Sequence, residues 1–455
     1  MLVSRRRMRS AGLALALVAA PLAASAANRA LLVGVSGYPA EMVGDLQLSG
    51  PKNDVALMLK TLRESGYPDK DITILADGLA ETGETRPADA APTRAAILAA
   101  FAKLADDAAP GDQITILLSG HGSQAPVTSP ASLVHHPDGL NPIFLPIDIG
   151  KWNDSVGAVE NAIAGDEFGV ALTAIRKKGA FVWMVVDACH SGAITRGAEQ
   201  GMIAKKVSPE VLGVPAERLA AARGMAAAAQ PQTRGAGGKK KPVSPLGSMP
   251  PAEGGYVAFF AAHPDELAIQ RNLPKGYGGG EKRPHGVLVF YLAQAMRSGK
   301  ASSYADLAQM VLAGYDQWGS AAPSPLFEGD LHVGLPGAKT GAPKTWPARV
   351  ADNAIRLDAG VLDEVSEGAI VSISTMDDPS AGPLGFARVT ASGPSSSRLE
   401  PVARGSLAAP ALKALGEAGR LAGKIEERGL ALEIVTDAHF SPSGRGPRGN
   451  CRACR

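Results

Sequence analysis

Two short stretches carry residues that an ordinary buried strand does not need. They are Ser119-Gly120-His121-Gly122, after the apolar run Ile116-Leu117-Leu118, and Asp187-Ala188-Cys189-His190-Ser191-Gly192, after Val185-Val186. A thiol is a strong nucleophile at neutral pH only with a base or an imidazolium beside it. His121 is the candidate partner of Cys189, able to take the thiol proton and later to protonate a leaving amine. Gly122 lets a backbone N–H approach a developing oxyanion, and the Cys189 N–H is the second candidate donor. Acyl transfer through a thioester follows from such a set. Taken singly, the ordinary readings are an inert buried thiol and a satisfied core histidine. His190 should point away from its neighbour at a strand end and is read as structural.

These two strand ends must be neighbours for the chemistry to exist. The runs Ala30 to Val35, Asp71 to Ala76, Asp112 to Leu118 and Ala180 to Val186 are short, β-branched and bounded by turn residues, as buried parallel strands are. Helical patterns lie between them: Pro51 to Leu62, Arg94 to Leu104 capped by Thr93, and Glu167 to Ile175 capped by Asp166. Alternation of this kind predicts an α/β fold, a mostly parallel sheet with helices on both faces and functional groups beyond the carboxyl ends of the strands. Residues 193–254 have a linker composition. Tyr256 to Ala261 reads as a further strand, and Gly286 to Met296 and Tyr304 to Leu312 as helices. After a second boundary at 336–348, Ile355 to Leu357, Ala369 to Ser374, Phe386 to Thr390 and Leu430 to Val435 predict a small β-rich domain over 349–440. The tail 441–455 is rich in Gly, Pro and Arg and is expected to be disordered.

The two polar blocks resemble the catalytic motifs of metacaspases and related bacterial caspase-like cysteine peptidases. Ala30 to Gly37 is similar to the family's first strand and turn, Asn53-Asp54-Val55 to the element opening its first helix, and Gly286 to Met296 to the helix of its small catalytic subunit. The resemblance covers about residues 28–334. It implies a caspase-like catalytic domain over 27–335 with Cys189 as nucleophile and His121 as general acid/base. It also implies a pocket for Arg or Lys before the scissile bond, built from Asp54, Asp187 and Ser119. A guanidinium presents donors in a fork, so two carboxylates and a hydroxyl suit it, and Arg is expected over Lys with Asp rejected. Many metacaspases need calcium, and Asp138 and Asp148, with Asp154, Asp166 and Glu167, offer the hard oxygen ligands it prefers. Against this, Arg196 stands where calcium-dependent members carry an aspartate, so no metal or other cofactor is required by the sequence.

The whole chain of 455 residues carries 46 basic and 44 acidic side chains; without Arg5, Arg6, Arg7 and Arg9 the balance is 42 to 44, which argues against a dedicated nucleic-acid binder. Residues 1–26 place that basic cluster before the apolar run Ala11 to Ala20 and end in Ala24-Ser25-Ala26, the layout of a secretory signal, with a twin-arginine variant in Ser4 to Met8. An exported, periplasmic or secreted protein without stable membrane insertion is expected. Cys451 and Cys454 have the spacing of half a zinc site but no second half, so a local disulfide or two free thiols is expected, and His135-His136 reads as a loop pair. Lys239 to Lys241 reads as a solvated run or a self-cleavage site. Among the linker's basic residues, Arg218 and those after it are expected to reach the active site more easily than Arg196, Lys205 or Lys206. The combined expectation is an exported cysteine endopeptidase acting on proteins or peptides after Arg or Lys, self-processed within 193–254. The rivals are a catalytically weak caspase-fold binding or scaffold protein of the cell envelope, and a cysteine-dependent transpeptidase.

Overall fold

The computed structural model describes residues 26–44, 47–189, 202–229, 244–246, 249–264, 266–274, 281–318, 323–336, 345–375, 382–405, 407–419 and 421–427. Residues 1–25, His190 to Gly192, Arg196, Lys239 to Lys241, the Leu430–Val435 segment, Cys451 and Cys454 lie outside them. The chain forms two compact units, residues 1–290 and 291–455.

The first unit is organised by parallel strands in the order Tyr256–Phe260, Phe181–Asp187, Gln113–Ser119, Asn28–Gly34 and Ile72–Ala76. The first strand leads outward to Ile72–Ala76 and the chain then returns to the other side of it. Right-handed crossovers with this reversal put helix Gly50–Glu64 on one face and helices Arg94–Asp107 and Gly165–Arg176 on the other. Each helix forms because its apolar residues recur at helical spacing. Val55, Met58, Leu59 and Leu62 are buried in the first, and Ile97, Phe101 and Leu104 in the second. Thr93 caps the second helix, accepting from the Ala96 N–H at 3.2 Å. The third helix corrects the sequence reading: its cap position is Ala164, whose N–H is taken by Glu167 at 2.9 Å, and Asp166 sits in the first turn.

Residues 193–254, linker-like in composition, contain a strand at Met202–Ala204 and a helix at Ala216–Ala229. Thirteen of the fourteen residues of that helix are Ala, Leu, Glu, Arg or Met, good helix formers interrupted by Gly224 alone, and the alanines that mimic linker composition also favour helix. Arg218 and Arg223 are therefore helical rather than extended. The chain then returns to the sheet under the guidance of Arg176. This buried guanidinium donates to Gly254 O at 2.9 Å and Pro250 O at 3.0 Å and lies over the Tyr256 ring at 4.9 Å.

The second unit holds helix Tyr304–Asp316, capped by Ser303 and Asp306, and a closed antiparallel barrel. Its strands follow the order Trp346–Ala351, Ala354–Leu357, Ser397–Val402, Gly385–Ser392, Ile370–Thr375 and Leu421–Glu427, the last pairing with the first. Ile355, Leu357, Val371, Ile373, Val389, Leu399 and Leu421 fill its interior. Closure removes the sheet edges that so short a set of strands would otherwise expose.

Replacing Arg176 with Met should leave the Gly254 and Pro250 carbonyls without their donor and remove the contact with Tyr256. In a Cys189→Ala background, chemical denaturation should show the first unit destabilised by about 2–4 kcal/mol. A change below about 0.5 kcal/mol would mean that Arg176 does not hold the returning chain.

Candidate active site

Gly34, Ser119 and Asp187 stand in one row, paired across the carboxyl ends of three adjacent strands. The turns that follow two of them are pressed together: Gly120 N donates to Asp187 O at 3.3 Å, and a Cβ on Gly122 would fall 1.8 Å from Cys189 O. Only glycine fits there. His121 is held from its backbone by Tyr38, whose hydroxyl accepts from His121 N at 2.8 Å and donates to Leu145 O at 2.9 Å, with the two rings 4.9 Å apart. Burial raises the Tyr38 hydroxyl well above its ordinary range, so it remains a neutral donor. Across the strand ends, helix Gly50–Glu64 brings Asp54 inward, fully buried.

A segment of the chain itself crosses this site. Met202–Ala204 pairs antiparallel with Ile269–Leu273, aligning Met202 with Arg271, Ile203 with Gln270 and Ala204 with Ile269. The next residue continues the pairing, with Lys205 N donating to Ala268 O at 2.9 Å. Its carbonyl oxygen then accepts from two backbone donors, Gly122 N at 3.1 Å and Cys189 N at 3.2 Å. Beyond it, Val207 N donates to Gly122 O at 3.0 Å. The two N–H groups singled out in the sequence thus converge on one carbonyl oxygen.

The Lys205 side chain runs into a sealed pocket, where no part of it or of its acidic partners meets solvent. Its ammonium lies 3.0 Å from Ser119 Oγ, 3.1 Å from both Asp187 O and Asp187 Oδ1, and 3.3 Å from Asp54 Oδ2. Ser119 Oγ donates to Asp54 Oδ2 at 2.8 Å. Burial alone would raise the Asp54 carboxyl, but Lys205, His285 and Ser119 outweigh it and hold the group below its usual range. The Asp187 carboxyl is raised, first by burial and then by the charge of Asp54, with Lys205 opposing. The Lys205 ammonium is held above its ordinary value because the two carboxylates overcome its desolvation. Two carboxyls sharing one ammonium therefore diverge, Asp54 being the firmer anion.

Behind the pocket, His285 Nδ1 lies 3.1 Å from Asp54 Oδ1, Gly286 N donates to Asp54 at 3.0 Å, and Val289 N donates to Asp187 Oδ2 at 3.3 Å. Sequence reading missed both Lys205 and His285 in these roles. Lys205 looked like one of several linker bases, and the usable signal was the short apolar Met202-Ile203-Ala204 run before Lys205-Lys206. Gly286 was read as a helix start, which concealed its approach to Asp187: a Cβ there would lie 1.8 Å from Asp187 Oδ2.

In this arrangement Cys189 is buried and its Sγ donates to Ala268 O at 3.3 Å. Burial pushes the thiol up to about 12, with Lys206 and Lys205 opposing, so it is neutral while the segment is docked. The candidate calcium ligands do not come together. Asp148 Oδ1 accepts from Arg94 N at 2.9 Å, Asp138 Oδ1 from Leu140 N at 3.1 Å, and Asp154 Oδ1 from the Trp152 indole at 2.9 Å. Asp166 pairs with His136 at 3.0 Å, which separates that histidine from His135, and Glu167 pairs with Arg94. Among the described residues, no three His, Cys, Asp or Glu side chains are grouped to hold a metal.

Comparison with known proteins agrees with the arrangement of strands and motifs. Residues 27–313 match the model of the caspase domain, peptidase family C14. Metacaspase-1 of Mycosarcoma maydis is 32% identical over 165 residues, 36% of each chain. Metacaspase-2 of Trypanosoma brucei brucei is 31% identical over 166 residues, 36% of this chain and 42% of that one, and metacaspase-1A of Aspergillus oryzae is 29% identical over 204 residues, 42% and 43%. The chain thus spans well under half the length of these relatives. The match to the caspase domain nevertheless runs through the parallel strands, both polar blocks and the pocket wall at His285 to Val289, and on that extent the chain belongs to the caspase-domain family.

Proposed function

We propose that the protein is a cysteine endopeptidase that cleaves after a basic residue, and that its own Lys205–Lys206 bond is its first substrate. The observation that carries this reading is the seating of Lys205: side chain between two carboxyls, carbonyl oxygen on two N–H donors, backbone paired as an added strand. Each feature is one that a peptide substrate requires, and the three coincide at one residue.

The chemistry is acyl transfer in two halves. His121 takes the Cys189 proton, and the thiolate attacks the carbonyl carbon of the seated basic residue. Negative charge collects on the oxygen held by Gly122 N and Cys189 N. The C–N bond breaks as His121 protonates the leaving amine, which in the first turnover is the nitrogen of Lys206. A thioester remains. Water then attacks it with His121 as base, and the thiol and a new carboxyl group are released. The raised Cys189 thiol supports a slow first turnover, because the attack needs a thiolate that the docked state disfavours. That same feature favours the rival reading, a caspase-fold scaffold in which the strand stays docked and uncut. The basic leader followed by an apolar run supports export to the periplasm or beyond. A calcium requirement is readily checked by assaying with calcium and with chelator.

Cys189→Ala and His121→Ala should each abolish hydrolysis of basic peptides, and the double variant should lose no more than either alone, since the pair acts as a unit. Additive losses would separate the two residues mechanistically.

Purified wild type should appear as two pieces under denaturing conditions, with the second beginning at Lys206 by intact mass and N-terminal sequencing. The pieces should elute together, because Phe181–Asp187 and Tyr256–Phe260, on either side of the cut, pair in one sheet. Cys189→Ala should remain one chain. A cut after Arg218 or a later basic residue, giving an N-terminus at Leu219 or beyond with Lys205–Lys206 intact, would move the processing site to where the linker composition alone had placed it.

The neutral thiol also predicts a pH dependence. A group whose folded value is raised to about 12 contributes stability that is complete below its unfolded value, about 9, and is lost as pH climbs toward 12. In the His121→Ala chain, stability should therefore fall more steeply between pH 9 and 12 than in His121→Ala with Cys189→Ser. Parallel curves would mean that the thiol ionises as freely folded as unfolded.

A further inference from the structure

Two carboxylates and a hydroxyl suggest a guanidinium pocket, but the depth of this one argues otherwise. We infer that the pocket selects lysine over arginine, because its acidic floor is fixed at the reach of an ammonium. The inference deepens the proposed function in one respect, taking the Lys205 cavity as the pocket for the residue before the scissile bond.

Four oxygens from three residues lie 3.0–3.3 Å from the Lys205 nitrogen, all in direct contact with it. In an arginine with the same backbone, the guanidinium carbon would occupy the place of that nitrogen. Its two terminal nitrogens would project about 1.3 Å further, one C–N bond with partial double-bond character. A nitrogen aimed at one of these oxygens would approach it to about 2 Å, against the roughly 2.7–3.2 Å of an N–H···O bond. Either the floor retreats or the arginine withdraws.

Neither is free to do so. Asp54 is held from behind by Gly286 N and by His285 Nδ1, itself packed against the Phe290 ring at 5.6 Å. Asp187 is held by Val289 N, and Gly286 lies so close beneath that a Cβ on it would sit 1.8 Å from Asp187 Oδ2 and 2.7 Å from the Lys205 nitrogen. Withdrawal would pull the carbonyl oxygen off Gly122 N and Cys189 N and break the pairing at Ala268. A compact cation with three rotatable donors satisfies the pocket as built, whereas a planar fork needs a deeper one.

Two measurements test this. In the uncleavable Cys189→Ala chain, Lys205→Arg keeps the charge and changes only the fit, so it should lower the melting temperature by about 3 °C or more. An unchanged or higher melting temperature overturns the inference, and it does so without reference to activity. In the wild-type protein, Met-Ile-Ala-Lys and Met-Ile-Ala-Arg peptides carrying a fluorogenic amide should differ in kcat/KM by about tenfold or more in favour of lysine. Parity or a preference for arginine also overturns it. If neither peptide is cut while Lys205→Arg is destabilised, the lysine-shaped pocket stands and the peptidase reading falls.

Discussion

A lysine ammonium buried between Asp54 and Asp187 ties together strands, a helix and a turn of the first unit. An ion so far from water is tolerable only where its partners are close and fixed, since desolvation otherwise exceeds the attraction. That requirement reaches outward. Ser119 must end its strand with a hydroxyl, Asp54 must point inward from the first turns of its helix, and Gly286 must lack a side chain. The backbone donors Gly286 N and Val289 N come from the chain entering the helix Val287–Arg297, so an element about a hundred residues from Cys189 shapes the Lys205 pocket.

The same docking sets the state of Cys189. Lys205 O occupies the two N–H donors, and the Cys189 thiol turns to Ala268 O in surroundings that keep it protonated. On the proposed reading, the uncut chain is both an enzyme–substrate complex and a restrained enzyme. The two descriptions are compatible because catalysis requires more stabilisation of the transition state than of the bound ground state. Good seating of the peptide bond makes cleavage specific without making it fast.

Much of this architecture was legible from residue patterns, and the gaps have physical causes. Buried parallel strands announce themselves by short β-branched runs, so the sheet and the two polar strand ends could be placed. The carboxyls of Asp54 and Asp187 and the hydroxyl of Ser119 were recoverable from family likeness, and the structure brings all three within reach of one ammonium. The occupant was not recoverable. A three-residue strand such as Met202–Ala204 is too short for a periodic signal, and its partner Ile269–Leu273, IQRNL, has two polar residues that are buried. The alanine-rich helix at 216–229 misled for a different reason: nearly featureless in amphipathicity, it resembles a linker to any test that relies on apolar spacing. The barrel strands suffered similarly, with Trp346–Ala351 and Ser397–Val402 each interrupted by a proline that a central strand would not carry.

Release of Lys205 would leave a pocket whose composition favours its next ligand. Two buried carboxyls facing each other without a cation repel, which raises the affinity of at least one of them for a proton; Asp187 already leans that way with Lys205 present. An incoming basic side chain relieves that repulsion, whereas an acidic one adds a third negative group beside the two carboxyls. An apolar side chain of similar length would fill the volume but leave the carboxyl oxygens without their partner, the more costly half of a broken buried pair. Discrimination therefore comes from the penalty on the wrong ligand as much as from attraction for the right one. On the proposed reading, the processing segment and the later substrates answer to one electrostatic condition, and a chain that satisfies it from its own sequence keeps the pocket closed until that segment is cut.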